Sequence, residues 1–227
     1  MTATLAADWL ETDDARAVSA ALEGAGHQAL FVGGCVRNTL LGHPVTDLDL
    51  ATDARPERVI EVAEGAGLKA VPTGIDHGTI TVVHRHHPVE VTTFRADIET
   101  HGRHATVRFS DDVHEDAARR DFTMNALYCD PRGRIVDPLG GLPDLRARRL
   151  RFVGDATARV HEDYLRILRF FRFHAWYADP EGGFDPDGLA ACAEGADGLR
   201  RISAERIGGE VKKLLAAPDP ARALAAM

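Results

Sequence analysis

The 227-residue chain has only three cysteines, Cys35, Cys129 and Cys192. Their odd number and wide spacing exclude a disulfide framework and a zinc site, and they read as small buried residues in a reducing cytosol. No run of about 18 apolar residues occurs, which excludes a membrane-spanning helix. The opening MTATLAADWLETDD has neither the basic region nor the apolar core of a signal peptide, so a cytoplasmic location without membrane contact is expected. Internal repeats are absent, and low complexity is confined to the Ala-rich end APDPARALAAM, read as a helix in mid-course. Lysine is scarce: 24 of the 27 basic residues are arginine. With 35 acidic residues the net charge is -8, which argues against a protein that coats nucleic acid nonspecifically but permits a local basic surface. What remains is an ordinary globular balance, 44% hydrophobic and 27% charged, in a length that suits one large domain or one and a half.

The arginines are unevenly spread. Residues 146–172 hold eight (Arg146, Arg148, Arg149, Arg151, Arg159, Arg166, Arg169 and Arg172) against three acids, Asp155, Glu162 and Asp163. This stretch is a candidate anion-binding face.

Alternating charge and Ala/Leu over 13–24, ended by Gly24 and Gly26, predicts a helix. QALFVGG reads as a buried strand, CVRNTLLG as a short helix stopped by Gly42 and Pro44, and TDLDLAT as a second strand of period two. PERVIEVAEGAG opens with a proline suited to a first helical turn. GTITVVH and VEVTTF read as a hairpin whose tip is RHHP, and the histidines there (His84, His86, His87) are not taken as a metal site. Residues 95–112 read as a long polar loop, either a functional lid or without order. After LRFV only helical patterns follow: DYLRILRFFRFHAWY, GLAACAEG and SAERIGGEVKKLL. A mixed α/β domain over 1–149 and a helical segment over 150–227 are therefore expected.

Three groups of residues could carry chemistry. In the first, a strand runs through Gly33-Gly34 into a helix, so the backbone can approach an anion at the positive helix start, with Arg37 one turn in. GGCVRN does not have the dinucleotide-binding spacing. Asp47 and Asp49, one residue apart on a strand, share a face, with Leu48 and Leu50 toward the core. Such a pair repels itself unless a cation such as Mg²⁺ bridges it. A solvated strand edge, or the D-x-D of nucleotide-sugar glycosyltransferases, are the competing readings. The combination with the Gly-Gly helix favours metal-assisted nucleotidyl transfer.

These residues carry a resemblance. LFVGGCVRNTLLGHPVTDLDLAT is similar to the head-domain signature of the polymerase-β superfamily, closest to class II tRNA nucleotidyltransferases (CCA-adding enzymes) and bacterial poly(A) polymerases. The likeness continues through VEVTTFR, RRDFTMNALYCD, PLGGLPDL, EDYLRILRFFRF and ISAERIGGEVKKLL, covering most of 28–215 in order. Asn38 departs from the family, which usually has Asp after the Arg. The resemblance implies a polymerase-β-like nucleotidyltransferase head followed by an all-helical neck. It also implies Mg²⁺ on Asp47 and Asp49, CTP and ATP as substrates, and a tRNA or other RNA 3′ end as acceptor. Family members usually continue into body and tail helices, so this chain is expected to be a head-and-neck portion. Poly(A) synthesis, CC-only or A-only addition, and a nucleotide-binding fragment without turnover are the alternatives.

The second group is RRDFTMNA, where Arg119, Arg120, Asp121 and Asn125 sit among residues that want burial. Internal Arg–Asp pairing is one reading. The resemblance gives Arg120 a role on nucleotide phosphates and ribose, together with Gly34 and Arg37. Glu90 and Asp121 are both candidates for a third catalytic carboxylate. The third group is EDYLRILRFFRF, read as a helix with Asp163, Arg166, Arg169 and Arg172 at steps of three. An i,i+3 salt bridge is the plain reading. The chemical alternative is that Asp accepts from the exocyclic amine of C or A while Arg donates to the ring nitrogen beside it, rejecting G and U. The resemblance implies this templating role for Asp163 and Arg166, with Arg169 and Arg172 as nearby nucleotide contacts.

Overall fold

A computed structural model describes residues 4–101 and 104–227, with side chains outside 97–107. The opening Met1–Ala3 and the Gly102–Arg103 part of the expected loop lie outside the described residues. The chain divides into two compact units: Met1–Ile98, Val107–Arg120 and Asn125–Gly141; and Glu99–Thr106, Asp121–Met124 and Leu142–Met227.

The first unit is built on strands β1 (Leu30–Val32), β2 (Asp49–Thr52), β3 (Lys69–Gly74), β4 (Thr79–His84) and β5 (His87–Thr93). Strands β6 (Arg95–His101) and β7 (His104–Phe109) follow, then β8 (Tyr128–Cys129) and β9 (Ile135–Val136). Seven of them form a sheet in the order β3-β4-β5-β2-β1-β8-β9, parallel only between β2 and β5. Helix α1 (Asp13–Gly24) is capped by the Thr12 hydroxyl, which accepts from the Ala15 N–H, and it buries Ala15, Val18 and Leu22. Helices α2 (Gly34–Leu41), α3 (Pro56–Gly65, with its proline in the first turn) and α4 (Val113–Ala118) complete the unit. Phe31, Leu50, Ile80, Val91, Phe94 and Leu127 are fully buried in its core.

The β4–β5 hairpin matches the sequence. Arg85 and His86 form its two-residue turn with φ of 44° and 75°, the geometry whose twist suits a hairpin. His84 Nδ1 donates to the Asp14 carboxylate at 2.8 Å. Residues 95–101 and 104–109, expected as loop, are instead strands β6 and β7, paired in a separate two-stranded sheet. The alternation is present in the sequence, as Ala96/Ile98/Thr100 and Ala105/Val107/Phe109, but small residues among charges hide it.

The second unit is helical: α5 (Leu142–Arg146), α6 (Ala156–Glu162), α7 (Leu165–Tyr177), α8 (Pro186–Glu194), α9 (Ala204–Leu215) and α10 (Ala221–Ala226). Helix α7 buries Leu165, Ile167, Leu168, Phe170, Phe171 and Phe173, as its near-uniform apolarity predicts. Phe122, Phe152, Phe170 and Phe173 form one aromatic cluster, with Phe152 stacked on Phe170 at 5.4 Å. Phe170 is wholly buried against Gly188 of α8, where a Cβ would come within 2.8 Å of the ring. Truncating that ring costs about 3–5 kcal/mol. The expected helix through Asp163 is corrected. Asp163 has extended backbone (φ -151°, ψ 105°) between α6 and α7, and its carboxylate accepts from the Leu165 N–H at 3.1 Å. A short Asp that can bond its own downstream backbone favours a helix boundary over a helix interior.

Candidate functional site

In the first unit, β1 is followed by Gly33, the N-cap of α2, whose φ of 71° and ψ of -118° suit a residue without a side chain. The Gly33 carbonyl accepts from the Arg37 N–H at 2.9 Å, closing the first turn of α2. The free N–H groups of that turn and the helix dipole face the approach to Gly33-Gly34. Two guanidinium groups flank the turn. Arg120 Nη1 lies 3.6 Å from where a Gly33 Cβ would be, and Arg37 Nη2 lies 3.9 Å from the equivalent point on Gly34. Arg37 is buried; it donates to the amide oxygen of Asn125 at 2.5 Å and, through Nε and Nη2, to that of Asn38 at 3.1 and 2.8 Å. Asn38 also donates to the Pro44 carbonyl at 2.8 Å, a bond that the family's Asp could not make in its ionised form.

Asp49 opens β2 and is the register partner of Glu90 on the parallel strand β5. Asp47 is corrected: it lies before the strand, exposed, rather than on it. Pairing with β5 continues only to the Leu48 carbonyl, which accepts from the Glu90 N–H at 3.1 Å. Burial raises the Asp49 carboxyl above the ordinary range; Glu90 and Asp47 push it further up, and Arg120 opposes them. Leu50 is buried and Leu48 half-buried, consistent with the expected inward face. Among the described residues no three His, Cys, Asp or Glu side chains form a metal cage. Hard oxygen donors that repel one another suit Mg²⁺, which takes one or two carboxylates and completes its shell with phosphate and water.

The RRDFTMNA segment pairs internally. Asp116 on α4, wholly buried, accepts from Arg119 at 2.8 Å, from Arg120 at 3.0 Å and from the Tyr128 hydroxyl at 2.7 Å. These donors hold its carboxyl down at about 2, against the burial that opposes them. Neither Asp116 nor Tyr128 stood out in the sequence. Asp116 could have, being one helical turn before Arg120; a lone strand tyrosine gives no such signal.

In the second unit Asp121 accepts from Arg169 Nε at 2.8 Å and from the Phe122 N–H at 2.8 Å. Of the two candidates for a third carboxylate, Glu90 is the one beside Asp49 in the strand register. The expected i,i+3 pair between Asp163 and Arg166 is replaced by other partners. Asp163 accepts from Arg206 of α9 at 2.6 Å, and Arg166 donates to Glu162 at 2.5 Å and to the Arg159 carbonyl at 2.9 Å. Arg172 donates to Glu210 at 2.6 Å and stacks on Phe173 with Arg169. Helix α9 thus supplies two partners, Arg206 and Glu210, that the sequence reading passed over; their i,i+4 spacing within SAERIGGE was the available signal.

A family model described as the poly(A) polymerase head domain matches residues 29–151, and one described as a probable RNA and SrmB binding site of polymerase A matches 183–227. Human mitochondrial CCA tRNA nucleotidyltransferase 1 is 44% identical over 190 residues, covering 83% of this chain and 44% of that protein. The CCA-adding enzyme of Geobacillus stearothermophilus is 44% identical over 203 residues, covering 88% and 48%. The solved Bacillus stearothermophilus CCA-adding enzyme in complex with CTP superposes with a TM-score of 0.83 at 41% identity, covering 93% of this chain and 50% of that one. A tRNA nucleotidyltransferase complexed with a primer tRNA and an incoming ATP analogue gives 0.72 at 26% identity, covering 92% and 58%. The chain spans about half the length of the curated relatives it matches. With its Gly-Gly turn, its paired strand carboxylates and these likenesses, the chain belongs to the family of poly(A) polymerase head domains that includes the CCA-adding tRNA nucleotidyltransferases.

Proposed function

We propose that this chain is the head (1–149) and helical neck (150–227) of a cytoplasmic, template-independent RNA nucleotidyltransferase. It would add CMP and AMP from CTP and ATP to a tRNA 3′ end and release pyrophosphate. The observation that carries this reading is the register pair Asp49–Glu90, with Asp47 two residues away, in the unit that also holds the arginine-flanked Gly33-Gly34 turn. The reaction joins the RNA 3′ oxygen to the α-phosphorus and breaks its bond to the β-phosphate oxygen. Asp47 and Asp49 would hold Mg²⁺, and Glu90, the register partner of Asp49, is the favoured third catalytic carboxylate. Nucleotidyl transfer generally uses divalent metal, which lowers the pKa of the attacking hydroxyl and neutralises phosphate charge. Gly34, the α2 N–H groups, Arg37 and Arg120 bind the triphosphate and ribose.

Asp163 and Arg166 read the base. The Asp163 oxygens each keep a lone pair beyond the bonds to Arg206 and Leu165, enough to accept from a C or A amine. Arg166, half-buried and fixed by Glu162, is a pre-set donor, and Arg169 and Arg172 support it as nucleotide contacts. Three buried cysteines without disulfides suit a reducing compartment.

The test incubates the protein with tRNA lacking its 3′ end, each triphosphate in turn, and Mg²⁺, then sequences the products. CCA ends support the reading. Long A tracts from ATP alone make it a poly(A) polymerase, and CC or A alone a partial adder. CTP binding without any incorporation makes the chain a binding fragment and overturns the proposed activity.

A further inference from the structure

The Arg120 guanidinium is fixed on one side only. Its Nε donates to the Tyr128 hydroxyl at 3.1 Å and to Asp116 at 3.3 Å, and its Nη2 donates to Asp116 at 3.0 Å. The remaining nitrogen, Nη1, is the one that approaches Gly33. Tyr128 is wholly buried on β8, where it pairs with Val32, the residue immediately before Gly33. Its hydroxyl donates to Asp116 at 2.7 Å while accepting from Arg120, so one oxygen ties the carboxylate to the guanidinium. The Arg120 guanidinium carbon also lies 5.3 Å from the centre of the Tyr128 ring. The strand that leads into Gly33 is therefore paired with the strand whose Tyr128 bonds the Arg120 guanidinium. A flexible arginine loses side-chain entropy when it grips an anion, and a group that has already fixed it removes that cost from binding.

We propose that Tyr128 is a positioning residue for triphosphate binding: with Asp116, it aims Arg120 Nη1 over the Gly33-Gly34 turn. This rests on the reading of Arg120 as a phosphate contact. Phe at 128 keeps every carbon of the side chain and removes only the oxygen. Tyr128→Phe is expected to weaken CTP binding about tenfold by calorimetry, and to raise KM for CTP by a similar factor with kcat within about twofold. Far-UV circular dichroism should be unchanged. The decisive readout is coupling, which a merely structural role would not produce. In an Arg120→Ala background, or in Arg120→Lys, which has no Nε donor, adding Tyr128→Phe should change CTP affinity by less than about twofold.

An equal loss from Tyr128→Phe with and without Arg120 overturns the inference, as does an unchanged CTP affinity when Arg120 is intact. If Arg120→Ala itself leaves CTP affinity unchanged, the reading of Arg120 fails and the inference fails with it. That result is recognisable because it appears in the single variant, before Tyr128 is touched.

Discussion

Two charge clusters, one in each unit, are built in opposite ways. In the first, Asp49, Glu90 and Asp47 lie near one another with Arg120 as the cation that offsets them, and Asp49 is pushed upward in consequence. In the second, acids and bases are matched. Asp144 accepts from Arg149 and Arg151, Glu162 from Arg159 and Arg166, Asp121 from Arg169, and Glu210 from Arg172. A sequence shows both as clusters of charge, but only the first is left with work for a cation to do. Uncompensated like charge held by strand register is a stronger pointer to a ligand than any count of arginines.

If the comparison is right, the largest effect comes from the mismatched cluster. Asp49→Ala should lower incorporation of labelled CMP by about a thousandfold or more, with far-UV circular dichroism unchanged. Glu90→Gln should lose activity by a smaller factor. Retained turnover in Asp49→Ala removes the metal assignment. The raised Asp49 carboxyl also predicts a pH effect on the unloaded site: as pH falls, Asp49 takes up its proton before an ordinary aspartate does, so the apparent affinity for Mg²⁺ should begin to fall at a higher pH.

Next in size is base selection in the matched cluster. Asp163→Ala should lose discrimination of CTP over UTP by about 10- to 100-fold while CTP affinity changes less. Arg206→Ala removes the side-chain donor at 2.6 Å and should give a weaker version of the same defect. Unaltered selectivity in Asp163→Ala ends the templating role.

These outcomes bear on what the sequence could reveal. GGCVRN and D-x-D stood out because glycines and paired acids have few structural uses in that order; β1 and α2 are where the pattern puts them, while β2 begins only at Asp49. The eight-arginine run, a candidate anion-binding face in the sequence, is largely ion-paired within the fold. Six of those arginines have carboxylate partners, and among the described residues Arg146 and Arg148 have none. Partners such as Asp121 and Glu210, 48 and 38 residues away, cannot be read from a local window. The buried thiols were legible: burial pushes Cys35 up to about 11 and Cys129 and Cys192 up to about 12, so all three are inert at neutral pH.

A third effect concerns stability. Asp116, down at about 2 in the folded protein, contributes stability that is present above the unfolded value near 4 and is lost as pH falls toward 2. The contribution is of order 2 kcal/mol. Urea titrations of wild type between pH 5 and 2 should show that loss, and Asp116→Asn should be less stable at pH 7 with a flatter profile. Parallel profiles for the two proteins disprove the assignment.

The smallest effects carry the sharpest contrast, because they should differ in sign. Arg151 is about half exposed, and its loss leaves Asp144 with Arg149 and the Thr123 hydroxyl at 2.9 Å, so Arg151→Ala should cost under about 1 kcal/mol. In EDTA, Asp49→Asn should instead stabilise the protein by a few tenths of a kcal/mol or more, since it removes a half-buried charge that the fold disfavours. Saturating Mg²⁺ with CTP should reverse the order, because ligand binding stabilises only the chain that can hold it. Thermal unfolding with and without the ligands reads both variants. If Asp49→Asn destabilises the metal-free protein, the two clusters are alike, and strand-paired carboxylates lose their value as the mark of the site.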